Sequence, residues 1–144
     1  MKYLTLITFS LFFSLNIFAY PVDSASSKDS TINRINDDIT NNIAAAINSG
    51  DAKKLASYFN SSIDLTVPSS DGVYSKSQAE MIVKNFFTQY PPVSFKINQQ
   101  GTSNEGSQFS IGTLVTKTTK FRTYFLIKKV NGVPLIHQLQ FEAE

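Results

Sequence analysis

The side chain best suited to chemistry is that of His137, the single histidine among the 144 residues of the chain. A neutral imidazole accepts a proton near neutral pH, so a histidine that faces a cavity is a candidate general base. The chain has no cysteine that could act as its nucleophilic partner, and one histidine supplies too few ligands for a metal site. The sequence therefore predicts no metal site, no cofactor and no assigned catalytic residue, and the facing of His137 is the open question.

The facing of His137 depends on the hairpin that precedes it. Two runs typical of strands meet at Asn131-Gly132, and a two-residue Asn-Gly loop is a strong hairpin signal. This loop pairs Val130 with Val133, and an uninterrupted register then turns His137 outward. The inward side chains of the last strand become Ile136, Gln138 and Gln140.

A three-residue loop is the alternative. It shifts the pairing by one residue and moves every side chain to the opposite face, so that His137 shares a face with Phe125 and Ile127. Apolar composition does not decide between the two registers, although the face that carries His137 is the more apolar face of the last strand. The members of that face are Leu135, His137, Leu139 and Phe141. The turn chemistry favours the two-residue loop, and we adopt that register.

Aromatic and polar side chains assigned to the inner side of the fold could hold a small apolar or mixed ligand. Most of the aromatic rings must fill the core, because a cysteine-free domain of this size has no other covalent support. Rings near a cavity mouth, together with polar tips, suit ligand binding. The predicted ligand-binding residues are Tyr58, Phe86, Tyr90, Thr113, Thr123, Phe125, Gln138 and Gln140.

The adopted register also leaves apolar side chains on the outer face of the sheet, where no helix remains to cover them. An apolar patch of this kind usually marks a protein contact. We therefore expect a homodimer that forms through the outer sheet face. The predicted interface residues are Leu114, Tyr124, Leu126, Leu139 and Phe141.

Segment 1–19 has the pattern of a secretory signal peptide. Lys2 gives a positive start, the run from Leu4 to Phe18 is mainly apolar, and Ala19 is the small residue at the predicted cleavage site. The apolar run is shorter than the roughly 20 residues that span a bilayer, so we expect no transmembrane segment in the mature chain. A lipoprotein would need a cysteine at the cleavage site. The prediction is a periplasmic or secreted protein.

The charge of the chain argues against nucleic acid as a partner. The formal charge is +2, and removal of segment 1–19 takes away one lysine and no acidic residue, which leaves +1. Nucleic-acid binding needs a clear basic excess. A basic run without acidic residues is interpreted as solvated hairpin ends, with an anionic surface as the alternative partner. The run comprises Lys117, Lys120, Arg122, Lys128 and Lys129.

Apolar spacing predicts three helices. The first ends at Gly50, the second has Asp51 as its N-cap, and the third is capped by Ser75 or Ser77 and stopped by Pro91-Pro92. The apolar stripes are Ile32, Ile35, Ile39, Ile43, Ala46 and Ile47 in the first helix, and Ala79, Ile82, Val83, Phe86, Phe87 and Tyr90 in the third.

Alternating apolar residues predict a strand at 63–67, a short return strand at 73–74 and four strands after Pro92. The element order is then α-α-β-β-α-β-β-β-β, and helices segregated before one antiparallel sheet give an α+β fold. Residues 20–30 are predicted to be a flexible leader, and residues 31–144 to form a single domain.

Two stretches resemble the nuclear transport factor two-like superfamily, the cone-shaped α+β fold shared with ketosteroid isomerase-like proteins. The stretch 39-ITNNIAAAINSGDAKKLASYFNSSIDL-65 resembles its opening helices and first strand. The stretch 125-FLIKKVNGVPLIHQLQFE-142 resembles its last two strands. More narrowly, the chain resembles a family of small exported Bacteroides-type domains of unknown function. The resemblance implies three helices packed on a curled antiparallel sheet, with a cavity at the open end of the cone.

The resemblance also bears on activity. Isomerase-like members use an aspartate base with a tyrosine and a protonated acid, and those residues do not carry over. Asp64 lies between Ile63 and Leu65, so it should point away from the buried face. We expect a non-enzymatic domain that binds a small ligand or a protein partner. An isomerase- or cyclase-type enzyme that uses the cone cavity is the alternative, and an assembly protein with a filled cone is a third interpretation.

Overall fold

The computed structural model describes residues 25–144, except for the side chains of residues 25–33, 35 and 36. The predicted signal peptide, residues 1–19, and residues 20–24 of the predicted leader lie outside this range. Helix α1 begins at Ala25, within the predicted leader. Within the described range, none of the helices has both the length and the apolar character that crossing a bilayer requires.

Three helices form as the apolar spacing predicts: α1 (Ala25–Ser49), α2 (Ala52–Ser57) and α3 (Lys76–Gln89). The caps at Asp51 and Ser75 are confirmed. The carboxylate of Asp51 accepts a hydrogen bond of 2.9 Å from the backbone N–H of Lys54, and Ser75 forms a capping box with Gln78. These side chains satisfy backbone donors that the first helical turn leaves unpaired.

Six strands form one curled sheet. They are β1 (Phe59–Val67), β2 (Ser70–Ser75), β3 (Pro92–Thr102), β4 (Gln108–Thr116), β5 (Lys120–Val130) and β6 (Val133–Ala143). Their order in the sheet is β2-β1-β6-β5-β4-β3. The α+β class and the element order are confirmed, with one correction: the sheet is mixed, because β1 and β6 run parallel while the other neighbours are antiparallel.

The hairpin between β5 and β6 turns at Asn131-Gly132, and Val130 lies opposite Val133. The φ angles are +51° at Asn131 and +80° at Gly132, as a two-residue loop with both central residues left-handed requires. The predicted two-residue loop is confirmed.

The register does not continue unbroken from that loop. Ile127 pairs with Ile136, but the next residue of β5, Leu126, pairs with Gln138. His137 is therefore the extra residue of a β-bulge, and every position of β6 beyond it lies on the opposite face from the one predicted. The backbone N–H of Ile136 donates a 2.7 Å hydrogen bond to the carbonyl of Tyr58, which ties the bulge to the start of β1.

The bulge turns the more apolar face of the end of β6 into the core. Leu139 lies opposite Phe125 and is 0% exposed, and Phe141 lies opposite Thr123 and is 1% exposed. The predicted outward facing of Leu139 and Phe141 is therefore wrong, as is the inward facing of Gln138 and Gln140. Burial of one leucine or phenylalanine is worth about 1.5–3 kcal/mol, whereas a net backbone hydrogen bond is worth about 1 kcal/mol, so packing outweighs the interrupted ladder.

The facing of β4 also differs from the prediction. Leu114 lies opposite Phe121 in the core, and Thr113 lies opposite Arg122 on the outer face. Beyond Leu114 the inner face of β4 carries the small residues Gly112 and Ser110, and a Cβ atom at Gly112 would lie 2.6 Å from the backbone oxygen of Lys96 and 2.7 Å from the ring of Phe95. The apolar residues Phe109, Ile111 and Val115, which alternate with these small ones, consequently lie on the outer face.

The core lies between the inner face of the sheet and the helices, and aromatic rings fill its centre. The ring of Phe86 lies 4.6 Å from that of Phe141 and 5.0 Å from that of Phe121, measured between centroids. Tyr90 lies 4.9 Å from Phe121 in an edge-on contact. Offset and edge-on pairs of this kind add to the stability that buried area provides.

Candidate functional site

The interior that the sequence assigned to an apolar ligand is occupied by the protein's own side chains. Phe86 and Phe125 are buried, and Phe86 lies within the aromatic cluster with Phe121, Phe141 and Tyr90. Thr123 is also fully buried. These positions belong to the packed core.

Open space lies instead at the end of the sheet where β3 and β4 meet their connecting loop. A cleft of about 380 Å³ separates the middle of α1 from this end of the two strands. The described residues that line it are mainly polar. They are Asp37, Thr40, Gln100, Gly101, Thr102, Gln108, Phe109 and Ser110.

Local structure explains how three of these side chains converge. Asp37 and Thr40 are three residues apart on α1, so they lie on the same side of the helix. Ser110 pairs with Phe125, whose side chain is in the core, so the hydroxyl of Ser110 points to the inner side of the sheet. Helix and strand thus face each other across the cleft.

A second bulge directs Gln100 to the same place. Ile97 pairs with Gly112, but Gln99 pairs with Ile111, so Asn98 is an extra residue in β3. Without it, Gln99 would follow Ile97 on the inner face. With it, Gln100 takes the inner position opposite Ser110.

The wall groups of the cleft are nearly all neutral hydrogen-bonding groups. Ser110 is 2% exposed and Thr40 is 6% exposed, while Asp37 is an exposed carboxylate at the rim. Hydroxyl and amide groups at the wall of an open space favour a polar ligand.

A second groove of about 350 Å³ lies beside the cleft, along the seam between α1 and β3. Gln100 lines both spaces. The groove is lined by Asn41, Ile97, Asn98, Gln99 and Gln100.

None of the eight predicted ligand-binding residues is among the described lining of the cleft. Gln138 lies on the outer face, where its amide donates a 3.0 Å hydrogen bond to the carboxylate of Asp64. Gln140 lies on the same face opposite Tyr124. The hydroxyl of Thr113 accepts a hydrogen bond from the outer-face side chain of Asn98. Tyr58 and Tyr90 are partly buried against the core.

The predicted interface residues are divided between the two faces. Leu114, Leu139 and Phe141 are in the core, so these three cannot carry a contact on the outer face. Tyr124 and Leu126 do lie on the outer face, where cross-strand pairing places them beside Ile111 and Phe109. The apolar part of this face therefore consists of Phe109, Ile111, Val115, Tyr124 and Leu126.

His137 does not line the cleft. Its Nε2 atom is buried and has no hydrogen-bond partner among the described residues. Burial lowers the pKa of His137 from the usual 6.5, and the positive charge of Lys128 lowers the pKa further. The imidazole is therefore neutral at pH 7. Asp64 points away from the buried face, as predicted, and no group of three or more potential metal ligands occurs in the described part of the chain.

The basic run does not form one cluster. Lys120 begins β5 and Lys129 lies near its other end, so the length of the strand separates the lysines. Arg122 lies 3.7 Å from Glu142 in an exposed ion pair. This distribution agrees with the interpretation as solvated hairpin ends.

Sequence reasoning missed the residues that line the cleft. Thr40 carried a usable signal, because it is a polar residue one position after Ile39 in the apolar stripe of α1, three residues before Ile43. Asp37 carried another, because it lies one helical turn before Thr40. Ser110 carried none, since its inward facing depends on the register between β4 and β5.

The comparisons with solved structures give close agreement in fold. A protein from Bacteroides uniformis is 29% identical, with a TM-score of 0.68 over 72% of this chain and 95% of that one. A protein from Bacteroides ovatus is 30% identical, with a TM-score of 0.67 over 72% of this chain and 93% of that one. Both are described as DUF4783 family proteins.

A more distant structure supports the fold alone. A Kribbella flavida protein, provisionally named a ketosteroid isomerase, is 9% identical, with a TM-score of 0.51 over 73% of this chain and 74% of that one. The predicted resemblance to nuclear transport factor two-like folds is therefore confirmed. A search of the curated proteins found no match.

The family comparison covers most of the domain. Residues 40–142, from Thr40 on α1 to the end of β6, match a single family model. With the agreement in fold to the two Bacteroides proteins, this match shows that the chain belongs to the family described as Domain of unknown function (DUF4783).

Proposed function

We propose that this chain is an exported binding domain that holds a small polar ligand in the cleft between α1 and the β3–β4 hairpin. One observation carries the proposal: a cleft of about 380 Å³ whose described walls consist mainly of hydrogen-bonding side chains. Its volume lies within the roughly 300–1,000 Å³ of small-molecule sites. The ligand differs from the small apolar one that the sequence suggested, because rings of the core occupy the apolar interior.

The hydrogen-bonding capacity of the cleft supports ligand binding. Thr40 and Ser110 are almost completely buried residues that border the open space. Gln100 adds an amide that both donates and accepts. A ligand with matching groups would form hydrogen bonds with these side chains.

A binding role accounts for the cleft better than catalysis does. The hydroxyl and amide groups that dominate its walls do not ionise near neutral pH, so they are not general acids or bases. Asp37 is the one described lining residue that could act as a general base, and it is exposed. An isomerase- or cyclase-type enzyme therefore depends on Asp37. In that case Asp37→Asn would abolish turnover of a bound ligand, whereas in a binding domain it leaves the ligand chemically unchanged.

Self-association through the outer sheet face is a second candidate function. Tyr124, Leu126 and their apolar neighbours lie there, and the described helices pack on the inner face. Asp64 flanks this apolar area on the β1 side, and Lys96 flanks it on the β3 side. A two-fold axis parallel to the strands would lay the acidic side of one copy over the basic side of the other, so a second copy is the proposed occupant.

Sedimentation velocity tests the dimer. A wild-type dimer that Leu126→Glu converts to a folded monomer would support it, because a charge in the apolar centre is costly to bury. Val73→Glu is the matched control, since Val73 is exposed on β2. A wild-type monomer at high micromolar concentration would exclude the dimer.

Export is proposed from the apolar run and small residue of segment 1–19. Cell fractionation of the full chain tests it, together with the mass of the mature protein. A mass that begins near Tyr20 in the periplasmic or secreted fraction supports export, and a full-length chain in the cytoplasm contradicts it.

The ligand is tested by native mass spectrometry of the chain purified from its own exported fraction. We expect a retained small molecule that is lost from Gln100→Ala, because Gln100 borders the cleft. Gln140→Ala is the matched control, since the same residue type lies there on the outer face. A wild-type chain without added mass, or a ligand equally retained by both variants, would contradict a site in the cleft.

A further inference from the structure

The cleft and the neighbouring groove form one continuous surface. Gln100 borders both spaces. On α1, Thr40 lines the cleft and the next residue, Asn41, lines the groove. Helix α1 and strand β3 therefore provide the two walls of both spaces, and a ligand longer than the cleft can extend past Gln100 into the groove.

The lining of the combined site has an unusual composition. Side-chain amides and hydroxyls predominate, and these groups donate and accept hydrogen bonds equally well. Asp37 is the one charged residue in the described lining. The groups in question are Thr40, Asn41, Gln100, Thr102, Gln108 and Ser110, because the side chains of Asn98 and Gln99 lie on the outer face.

This composition favours one class of ligand. A sugar hydroxyl also donates and accepts, so it matches amide and hydroxyl side chains without a change of protonation. Anionic ligands are disfavoured, because the described lining offers the carboxylate of Asp37 and no positive charge. Ile97 adds a small apolar surface to the groove, and such a surface suits the C–H face of a sugar ring.

An extended peptide fits the same seam less well. A peptide that adds to an edge strand needs a regular row of free backbone donors and acceptors. On β3 the backbone N–H of Phe95 already donates to the Asn48 side chain at 2.8 Å. The bulge at Asn98 interrupts the remaining row, as bulges at sheet edges commonly do.

We propose that the combined site binds a neutral oligosaccharide that runs from the cleft, across Gln100, into the groove beside Asn41. This inference rests on the proposed binding function of the cleft and adds the chemical class and the extended shape of the ligand. Asn41 contacts the part of the ligand outside the cleft.

A glycan array of neutral, sulfated and uronic-acid oligosaccharides, probed with the mature chain, tests the chemical class. We expect retention of neutral glycans and weaker retention of anionic glycans of the same length. Extended peptides are printed on the same array for comparison. Preferential binding of anionic glycans or of these peptides would overturn the class while leaving a ligand site in the cleft intact.

Calorimetric titration with the retained glycan and with its monosaccharide tests the extended shape. Asn41→Ala is expected to lower the affinity for the oligosaccharide about tenfold, the equivalent of one hydrogen bond. Its affinity for the monosaccharide is expected to stay unchanged. Asn42→Ala is the matched control, because Asn42 is exposed on α1 outside both spaces.

The variants separate the two levels of the proposal. The extended site is supported if Gln100→Ala loses affinity for both the oligosaccharide and the monosaccharide, while Asn41→Ala loses affinity for the oligosaccharide alone. Equal effects of Asn41→Ala on both ligands, or none on either, overturn the extension into the groove. If Gln100→Ala leaves the affinity for both ligands unchanged, the ligand site is not in the cleft, and the proposed function is overturned as well.

Discussion

The bulge at His137 makes a sharp prediction about Leu139. With the bulge, Leu139 lies opposite Phe125 and is fully buried. In an unbroken Asn-Gly register it would point outward. Leu139→Ala therefore measures which face of β6 packs against the helices.

The expected cost follows from burial. Removing a fully buried leucine side chain loses its transfer free energy and leaves a cavity, which together destabilise by about 2–5 kcal/mol. We expect a decrease of about 3 kcal/mol in the free energy of unfolding. With an m-value of about 1.5 kcal/mol/M, the urea midpoint falls by about 2 M.

Urea unfolding followed by circular dichroism provides the assay, and Leu126→Ala provides the control. Leu126 is a leucine of the adjacent strand that lies partly exposed on the outer face of the single chain, so at a protein concentration too low for self-association its replacement should cost about 1 kcal/mol or less. If Leu139→Ala proved no more destabilising than Leu126→Ala, the bulge and the facing derived from it would be refuted.

Three further perturbations test other parts of the fold. The pKa of His137 is lowered in the folded chain, so the unfolded chain takes up the proton first as the pH falls through 6.5. The free energy of unfolding should therefore decrease as the pH falls through this range. Urea titrations at several pH values measure this dependence, and His137→Gln should flatten it. Gly112→Ala should lower the melting temperature through a loss of about 1–3 kcal/mol, because the new Cβ would lie 2.6 Å from the backbone oxygen of Lys96 and 2.7 Å from the Phe95 ring. Gly106→Ala, where φ is +77° but the space is open, should cost about 1 kcal/mol. Equal losses in the two variants would contradict the close approach at Gly112. Ser75→Ala should destabilise by about 1 kcal/mol in thermal unfolding through loss of the capping box, and an unchanged melting temperature would count against it.

Local chemistry made much of the architecture predictable. The caps at Asp51 and Ser75, the Asn131-Gly132 turn and the apolar stripes of the helices each act within a few residues. Their free energies are decided by neighbours in sequence, so the order of helices and strands follows from the sequence. The same short-range signals carry the resemblance to the family.

The facing of strands was not predictable in the same way. Alternation on β4 suggested that Thr113 points inward, yet Leu114 does so, because both faces of this strand carry apolar residues. The choice depends on how β4 pairs with β5 and on the room that Gly112 leaves for Phe95. Those are contacts between distant segments, and the alternation of apolar and polar residues along one strand carries no information about them.

The sequence by itself thus determined the elements, their order and the hairpin turn, since local propensities and turn chemistry act without the rest of the chain. Only the tertiary structure decided the bulges at His137 and Asn98, because each interrupts the regular hydrogen bonding between strands. The bulge at His137 gives better core packing, and the bulge at Asn98 changes the direction of the side chains that follow. It alone also decided the candidate site, because Asp37 on α1 and Gln100 on β3 meet only when the helix packs against the end of the sheet.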